Sequence, residues 1–244
     1  MFFFPMIFNV YLWLYVLAAI IPALFLMRYI YRKDTVEKEP AGLLVSLFFL
    51  GFLAAALSML LEGIGETILN ISFPEAGGFH YTLILAFVVV AAVEEGTKFF
   101  LCYRKTWNNP NFDCRFDGIV YMVFTSLGFA AIENVLYVFQ YGLGVALPRA
   151  VLSVPGHMGF AVVAGTFYGR AKACDLRGLS AQKSSNLTTA YLTAVFLHGF
   201  YDTCAMLQTS LSSVVFFCFV IIMYIVIIRL IKKESQSDEY MRSY

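Results

Sequence analysis

Acidic and histidine side chains interrupt four consecutive apolar segments of the chain. They are Glu94, Glu95, Glu133, His157, His198 and Asp202. An acid at the middle of a membrane costs roughly 2.5–3.5 kcal/mol on insertion scales, so we expect none of them to face lipid. Carboxylates and imidazoles in a wet pocket suit general-base activation of water, directly or on a metal, and they also suit proton or cation relay. These residue types therefore predict a hydrolase or a transporter within the membrane.

The spacing within each segment limits which side chains can meet. His198 and Asp202 are four residues apart and share one face of a helix, and so do Glu94 and Lys98. Glu94 and Glu95 are adjacent and point about 100° apart, so only one of them can face a common site along a straight helix. We expect the other to pair with Lys98 or with a neighbouring helix.

Taken singly, each feature also fits a structural role. Lys98 could form an internal ion pair with a glutamate, and His198 could form a local hydrogen bond. His157 could be a packed histidine, and Glu133 could bond to a neighbouring helix. Together they lie on four consecutive segments, and a rise of about 1.5 Å per residue places most of them at comparable depth, in the outer half or middle of the bilayer. That coincidence favours one shared site.

Long apolar helices must position these residues. The chain is 60% hydrophobic and 14% charged, against about 45–50% and about 25% in soluble domains. A helix needs about 20 apolar residues to cross a membrane, and seven such runs are present: Ile7–Met27, Ala41–Leu61, Tyr81–Cys102, Gly118–Tyr141, Ala150–Tyr168, Leu187–Leu207 and Leu211–Ile231. We predict an all-α integral membrane protein with about seven transmembrane helices, in which spans three to six form a central polar cavity.

The basic residues predict the orientation. Of the 17 Lys and Arg residues, all but Arg149 fall on one side of a seven-span arrangement. The positive side is the cytoplasmic side, so the N-terminus lies outside and the C-terminus lies in the cytoplasm. Short connections predict a single polytopic membrane domain, residues 1–244, with residues 232–244 as a loose cytoplasmic tail. Glu62 and Glu66 are expected to form a solvated end of span two, and Gly165 and Gly169 predict close packing of span five.

Several functions are excluded. A net charge of +1 gives no basis for nucleic-acid binding, and five cysteines without a CxxC pair form neither a disulfide framework nor a cysteine zinc site. The chain contains no HExxH, GxGD or GxSG, which excludes zinc site-2, presenilin-like and rhomboid mechanisms.

Three short motifs occur in order on separate spans. They are EExxK at Glu94–Lys98, FxxxE at Phe129–Glu133 and HxxxD at His198–Asp202. With Asp117-Gly118 and His157, this set resembles the PrsW family of membrane proteases, which is related to the type II CAAX prenyl endopeptidases and the Abi proteins. The resemblance covers about residues 94–202. It implies a site-1 type endopeptidase of the bacterial plasma membrane, which cleaves a single-span anti-sigma factor near its extracytoplasmic side and so starts regulated proteolysis in envelope stress.

The sequence departs from the CAAX branch at two positions. Those relatives have histidine where Glu133 stands and asparagine where Asp202 stands. A water-activating glutamate–histidine pair carried over from them would lack its histidine, which His157 could supply. In the resulting scheme, Glu94 or Glu95 is the general base, and Glu133 and His157 position the water. His198 and Asp202 bind the scissile carbonyl. If Asp202 is ionised it cannot donate to an oxyanion, and it then orients His198.

A zinc version of this scheme is equally open from the sequence. It uses His157, His198 and one glutamate, with Glu133 as the candidate, and leaves a water in the fourth position. Two other functions fit the polar core: a proton- or cation-coupled transporter and a non-catalytic membrane scaffold or sensor. Transporter folds often contain internal repeats, and the two halves of this chain show none. We therefore favour the peptidase, with the lipid bilayer and a single-span membrane protein as its partners.

Overall fold

The computed structural model describes residues 3–73 and 78–241, and this part of the chain is almost entirely helical. Its α-helices are α1 Phe3–Lys33, α2 Ala41–Ser72, α3 Phe79–Ile84, α4 Ala92–Thr106, α5 Asp117–Tyr141, α6 Ala146–Val151, α7 Ser153–Leu176, α8 Ser180–Leu207 and α9 Ser210–Gln236. Across the described residues, β structure is limited to one antiparallel bridge between Cys114 and Tyr240. The all-α prediction is confirmed.

Five helical runs are long and apolar enough to cross a membrane. They are Trp13–Lys33, Ala41–Ser72, Asp117–Tyr141, Leu143–Leu176 and Ser210–Gln236. Their outer faces expose large apolar side chains, including Phe25 at 71%, Leu60 at 69% and Leu211 at 74%. Apolar surface on this scale is suited to contact with lipid. The prediction of a multi-pass membrane protein is confirmed.

The predicted spans three and six correspond to helices of a different character. Span three lies in a segmented helix, in which α3, a π-helical stretch Leu85–Ala91 and α4 follow one another directly. Span six lies in the second half of α8, which has the necessary length, 28 residues, but carries His198 and Asp202. These two helices supply four of the six predicted site residues, namely Glu94, Glu95, His198 and Asp202.

Helix α5 lies at the centre of the bundle. It packs against α1, α2 and α7, and residues 117–131 are buried without interruption, as expected of a helix surrounded by other helices. At its start Gly118 faces α7 so closely that a Cβ there would lie 2.5 Å from the backbone nitrogen of Gly169 and 2.6 Å from the carbonyl oxygen of Gly165. The predicted close packing at Gly165 and Gly169 is confirmed.

The π-helical stretch influences the direction of the two adjacent glutamates. A π turn takes up an extra residue and rotates the helix that follows it, and such turns are frequent beside functional sites. The stretch ends at Ala91, three residues before Glu94. Its Phe87 packs so closely on α8 that a Cβ at Gly199 would lie 2.5 Å from the ring. The glutamates and His198 are therefore positioned by helices that fix each other.

Three segments meet where α5 begins. They are the α1–α2 loop, residues 34–40, the α4–α5 loop, residues 107–116, and residues 237–241 after α9. The backbone N–H of Met241 donates to the carbonyl oxygen of Asp113 at 2.6 Å. Of the predicted loose tail, residues 232–236 belong to α9, residues 237–241 reach this meeting point, and residues 242–244 lie outside the described chain.

Buried acids are concentrated in these loops. Burial raises the pKa of Asp34 to about 6; Lys38 opposes the shift and the charge of Asp238 adds to it. Burial also raises the pKa of Glu39 to about 7, where the hydrogen bond from Tyr121 opposes the shift and the charge of Asp34 adds to it. Both carboxylates are therefore less stable as anions here than in water.

Candidate active site

A cavity of about 970 Å³ lies among the helices and is bordered by α2, α4, α5, α6, α7, α8 and α9. Its lining includes Glu94, Glu133, His157, His198 and Asp202, together with Glu62, Glu66 and Arg149. The volume is in the upper part of the range of about 300–1,000 Å³ that is usual for ligand sites. Five of the six predicted site residues therefore border one space.

Lys98 lies at the centre of the polar network, and its side chain is fully buried. Its Nζ donates to Glu95 Oε1 at 2.7 Å and to Glu94 Oε2 at 3.1 Å, and it lies 3.3 Å from His157 Nδ1. The ammonium also lies 4.1 Å from the ring centroid of Phe129. Lys98 pairs with both adjacent glutamates and joins α4 to α5 and α7.

His198 connects α8 to α4. Its Nδ1 lies 2.9 Å from Glu95 Oε1, and its Nε2 lies 3.2 Å from Asp202 Oδ2. The ring stacks on Phe160 with centroids 4.9 Å apart. The local contact four residues along the helix is present, but the contact with Glu95 on another helix makes His198 part of a wider network.

His157, Glu133 and Arg149 form a second arm of the network. Glu133 Oε2 lies 3.0 Å from His157 Nε2 and 2.9 Å from Arg149 Nη2. The Arg149 guanidinium lies 3.8 Å from the ring centroid of Tyr137, and its Nε donates to Asn134 Oδ1 at 2.8 Å. Glu133 is thus held between a histidine and an arginine whose own position is fixed by two neighbours.

The six predicted residues form one continuous chain of contacts across four helices. It passes from Asp202 through His198, Glu95, Lys98 and His157 to Glu133, and Glu94 joins it through Lys98. The rings of His157 and His198 lie 5.2 Å apart, centroid to centroid. The fold therefore brings all six residues together.

The adjacent glutamates have different environments. Glu94 lines the cavity, whereas Glu95 is not part of its lining. Glu95 Oε1 receives both Lys98 and His198, at 2.7 Å and 2.9 Å. Glu94 is therefore the glutamate within reach of a substrate, and Glu95 holds two other site residues in place.

Four side chains at the site form a group that could hold a metal ion. Glu94, Glu95, His157 and His198 each offer one donor atom, and these atoms all lie within 4.8 Å of one another. Carboxylate oxygen and imidazole nitrogen are both common zinc ligands. Glu133, predicted as a ligand beside the two histidines, is not a member of this group.

The charges at the site also bear on a metal. If all are ionised, the four acids Glu94, Glu95, Glu133 and Asp202 face two permanent cations, Lys98 and Arg149, and Glu62 and Glu66 on the cavity wall add to the negative charge. The excess of negative charge and the donor types therefore suit a divalent cation. Lys98 Nζ contacts three of the four donors, so a bound ion would displace the ammonium from them.

Two cavity residues have roles that the sequence patterns do not predict. From the sequence, Arg149 bears only on the membrane orientation of the chain, and Glu62 is expected to lie at a solvated helix end. Helix α2 continues to Ser72 instead of ending near Leu61, so Glu62 lies on the cavity wall, and its Oε1 has no hydrogen-bond partner among the described residues. The four-residue spacing from Glu62 to Glu66, which puts both on one helix face, is the signal that could have indicated this.

Comparison with known proteins decides the family. Residues 39–230 match the family model described as PrsW family intramembrane metalloprotease. The chain belongs to the PrsW family. Protease PrsW of Oceanobacillus iheyensis is 37% identical over 187 residues, which cover 76% of this chain and 80% of the relative. The Clostridioides difficile protein is 32% identical over 212 residues (85% and 86%), and the Bacillus subtilis protein is 31% identical over 202 residues (82% and 85%).

No solved structure matches the chain. As a PrsW family member, the protein is a membrane-embedded endopeptidase of the bacterial cell membrane. The matched region includes all six predicted site residues, and membership favours the peptidase over a transporter or a scaffold. The metalloprotease description agrees with the donor group around His157 and His198.

Proposed function

We propose that the protein is a site-1 type endopeptidase that cleaves a single-span anti-sigma factor near its extracytoplasmic side, and so starts regulated proteolysis in an envelope stress response. The observation that carries the proposal is the chain of contacts from Asp202 to Glu133 along the cavity. Buried intramembrane acids and histidines are expensive and are kept mainly where they act on a substrate or an ion. Membership of the PrsW family supplies the reaction class, proteolysis.

The proposal includes seven spans with the N-terminus outside. The segmented helix Phe79–Thr106 and α8 would also cross the membrane; α2 packs against the segmented helix and α7 packs against α8. This arrangement places Arg149, Glu62 and Glu66 toward the outer side, and all three line the cavity. That location supports access for a substrate bond near the extracytoplasmic surface.

In the proposed reaction Glu94 is the general base. Its carboxylate lines the cavity and accepts a proton from the attacking water, while Lys98 at 3.1 Å provides the counter-charge. His157 positions that water, since Glu133 fixes the imidazole through Nε2. General-base catalysis of this kind contributes about 10²–10⁴-fold to a rate.

His198 binds the scissile carbonyl in the same scheme. Asp202 is an acceptor when ionised, so it orients the ring of His198 and does not itself donate to the developing oxyanion. Glu95 holds the opposite ring nitrogen. The histidine is thus fixed from α4 and from its own helix, and one of these two contacts must open before a ring N–H can donate to the developing oxyanion.

A zinc ion held by His157, His198 and a glutamate would lower the pKa of a bound water to about 7 and polarise the scissile carbonyl. Glu94 and Glu95 are the nearest glutamates by geometry. Glu133 is the alternative ligand, and it would first have to leave Arg149. Lys98 Nζ contacts Glu94, Glu95 and His157, so it would have to give up the donors that the ion takes and pair with the glutamate that remains free.

The test is cleavage of a single-span anti-sigma factor in reconstituted vesicles. We expect wild type to cleave it, and Glu94→Gln and His198→Ala to lose cleavage while remaining folded. Glu239→Gln is the matched control, because Glu239 is an exposed glutamate whose nearest cation, Arg115, lies 3.8 Å away. Mass spectrometry of the products locates the cleaved bond relative to the membrane.

Two results would contradict the proposal. Cleavage of other single-span proteins but not the anti-sigma factor would reject the substrate and keep the peptidase. Wild-type activity that persists in both variants would reject the site.

A further inference from the structure

A groove separates α1 from α2 on the outside of the bundle, away from the candidate active site. Each of these helices packs against α5, and the described residues show little direct packing of α1 on α2. The groove has a volume of about 340 Å³, within the range of about 300–1,000 Å³ that is usual for ligand sites. Two helices that share a support without closing on each other thus leave room for a ligand.

Both helices present a regular face to this groove. Helix α1 supplies Leu24, Met27, Arg28 and Tyr31. Helix α2 supplies Ala41, Leu44, Val45 and Phe48. Each set has the spacing i, i+3, i+4 and i+7, which places its members on one side of a helix. Phe124 of α5 forms the base of the groove, because both helices pack on α5.

The groove is open to the surroundings of the protein. Leu24 and Val45, on opposite walls, are 50% and 55% exposed. Both walls belong to helices that are long and apolar enough to cross a membrane, so the medium that reaches them is the bilayer. At 1.5 Å per residue, Leu24 lies about 14 Å from the end of α1, and Phe48 lies about 11 Å from the start of α2. The groove therefore extends inward over most of one leaflet of a hydrocarbon core that is about 30 Å thick.

Arg28 places a positive charge at the end of the groove nearest the membrane surface. It is exposed and lies about 8 Å from the end of α1, a depth from which a long side chain reaches the headgroups. Three other arginines form ion pairs, Arg115 with Glu239, Arg149 with Glu133 and Arg170 with Glu234. Arg28 has no ion pair within the described part of the chain. Its guanidinium is therefore available to a phosphate, whose oxygens can accept two parallel N–H bonds from it.

The other charges near the groove favour the same ligand. Asp34 and Glu39, the nearby acids of the α1–α2 loop, are buried and do not belong to its lining. Lys38 lies beside the groove, with its Nζ 4.8 Å from the ring centroid of Tyr31. The groove is thus apolar along its length and positive at its surface end, which complements a molecule with an acyl chain and an anionic head.

We propose that the groove binds one anionic phospholipid, with an acyl chain between α1 and α2 and the headgroup phosphate on Arg28. Basic pockets between transmembrane helices recognise anionic headgroups in this manner. The lipid fills the space that the two helices leave between them and holds both against α5. The proposal depends neither on the function proposed above nor on the orientation of the chain in the membrane.

The test uses the purified full-length protein in detergent, stripped of lipid. Phosphatidylglycerol and phosphatidylcholine with the same acyl chains are titrated separately. Bound lipid is counted by native mass spectrometry, and the melting temperature is followed in parallel. We expect one phosphatidylglycerol to be retained at concentrations at which phosphatidylcholine is not, with a saturable rise in the melting temperature. Glycerol phosphate, which has the charge of the headgroup without the chains, should give neither effect.

Arg28→Gln tests the headgroup contact. The variant should require about fivefold more phosphatidylglycerol for half-saturation, the usual contribution of one basic residue at an anionic membrane surface. Arg32→Gln is the matched control, because Arg32 is also an exposed arginine of α1 but does not line the groove. It should bind phosphatidylglycerol as wild type does.

Val45→Trp tests the acyl-chain contact without a change in charge. The indole occupies the groove, so the variant should lose the retained phosphatidylglycerol. Phe49→Trp is its control, because Phe49 is an exposed residue of the same helix outside the lining. A larger apolar side chain at an exposed, lipid-facing position leaves the fold intact, so this pair gives an answer even if Arg28→Gln does not fold.

Three results would overturn the proposal. Equal retention of phosphatidylglycerol and phosphatidylcholine would show ordinary contact with the bilayer. The same saturable effect with glycerol phosphate would show an anion site that needs no lipid chain. Equal binding by wild type, Arg28→Gln and Val45→Trp would place the bound lipid elsewhere on the protein.

Discussion

Helix α5 connects two groups of buried acids that differ in how their charge is balanced. At the candidate active site, Glu94 and Glu95 share Lys98, Glu133 meets Arg149, and Asp202 meets His198. In the loops where α5 begins, both carboxylate oxygens of Asp34 are buried without a hydrogen-bond partner among the described residues. Burial of acids alone is therefore a poor guide to chemistry. The protein supplies most of the counter-charge at the candidate site itself, whereas it leaves the carboxylate of Asp34 without such a partner.

The strongest test of this contrast is Glu94→Gln. An amide cannot accept the proton from water, so we expect cleavage to fall about 10²–10⁴-fold, the usual contribution of a general base. Stability should change little, because the glutamine retains the side-chain shape and Lys98 still has Glu95. The rate of substrate cleavage and the melting temperature are measured together. A rate equal to that of Glu239→Gln would reject Glu94 as the base.

Lys98→Met should affect stability most. It removes the cation between two buried glutamates, and breaking a buried ion pair in this way costs about 3–5 kcal/mol. The double variant Lys98→Met with Glu95→Gln should recover part of this loss, because the uncompensated charge is removed as well. Lys232→Met, at an exposed lysine, is the control. If the single variant melts at the wild-type temperature, the ammonium does not balance the glutamates.

Removal of bound metal tests whether a divalent cation balances the excess of acids over permanent cations at the candidate site. We expect the purified protein to contain zinc bound at His157 and His198, and a chelator to lower both the melting temperature and the rate, the latter at least tenfold, as loss of metal-site integrity typically does. Zinc content by elemental analysis is the readout independent of activity, and His198→Ala should reduce it. A zinc-free preparation that cleaves at full rate would favour the metal-free glutamate mechanism.

The meeting of the six candidate residues could be predicted, because the cost of burying charged groups in apolar segments is visible in the sequence. Acids and histidines in apolar spans must face inward, and the ordered motifs place them on separate helices. The roles within the adjacent pair could not be predicted, because a rotation of about 100° decides which one faces the cavity. The π-helical stretch Leu85–Ala91 precedes these residues, and no spacing rule indicates such a turn.

The ends of the helices, like the roles of the site residues, could be predicted only in part. The predicted span Gly118–Tyr141 agrees with α5, because Gly142 ends the helix with φ 84°, a conformation that suits glycine. The predicted span Ala41–Leu61 covers only part of α2, which continues to Ser72 and still exposes Ile64, Ile68 and Ile71. Hydropathy detects the apolar stretch of a helix but does not fix where the helix ends. The sequence therefore does not indicate that Glu62 lies on the cavity wall, nor does it indicate the contact between Arg149 and Glu133, which joins two different helices.

Asp202→Asn should have a smaller effect than Glu94→Gln. Asparagine keeps a hydrogen-bonding oxygen near His198 but removes the charge, and partners that orient a ligand or catalytic group usually contribute about 10–100-fold. We expect the loss to appear in kcat, with little change in KM, because the ring of His198 and not the substrate is mispositioned. A change confined to KM would mean that Asp202 contacts the substrate directly.

The weakest effect on cleavage is expected from Asp34→Asn, which should change stability and leave activity unchanged, the opposite of Glu94→Gln. Because Asp34 lies in the α1–α2 loop, at the far end of α5 from the cavity, cleavage should stay near the wild-type rate. The variant should be more stable than wild type by about 1–3 kcal/mol, because the amide removes a buried negative charge that has no hydrogen-bond partner. The measurement is thermal unfolding of both proteins. A variant that is less stable than wild type would show that Asp34 is already satisfied within the protein, and the contrast between the two acid groups would then disappear.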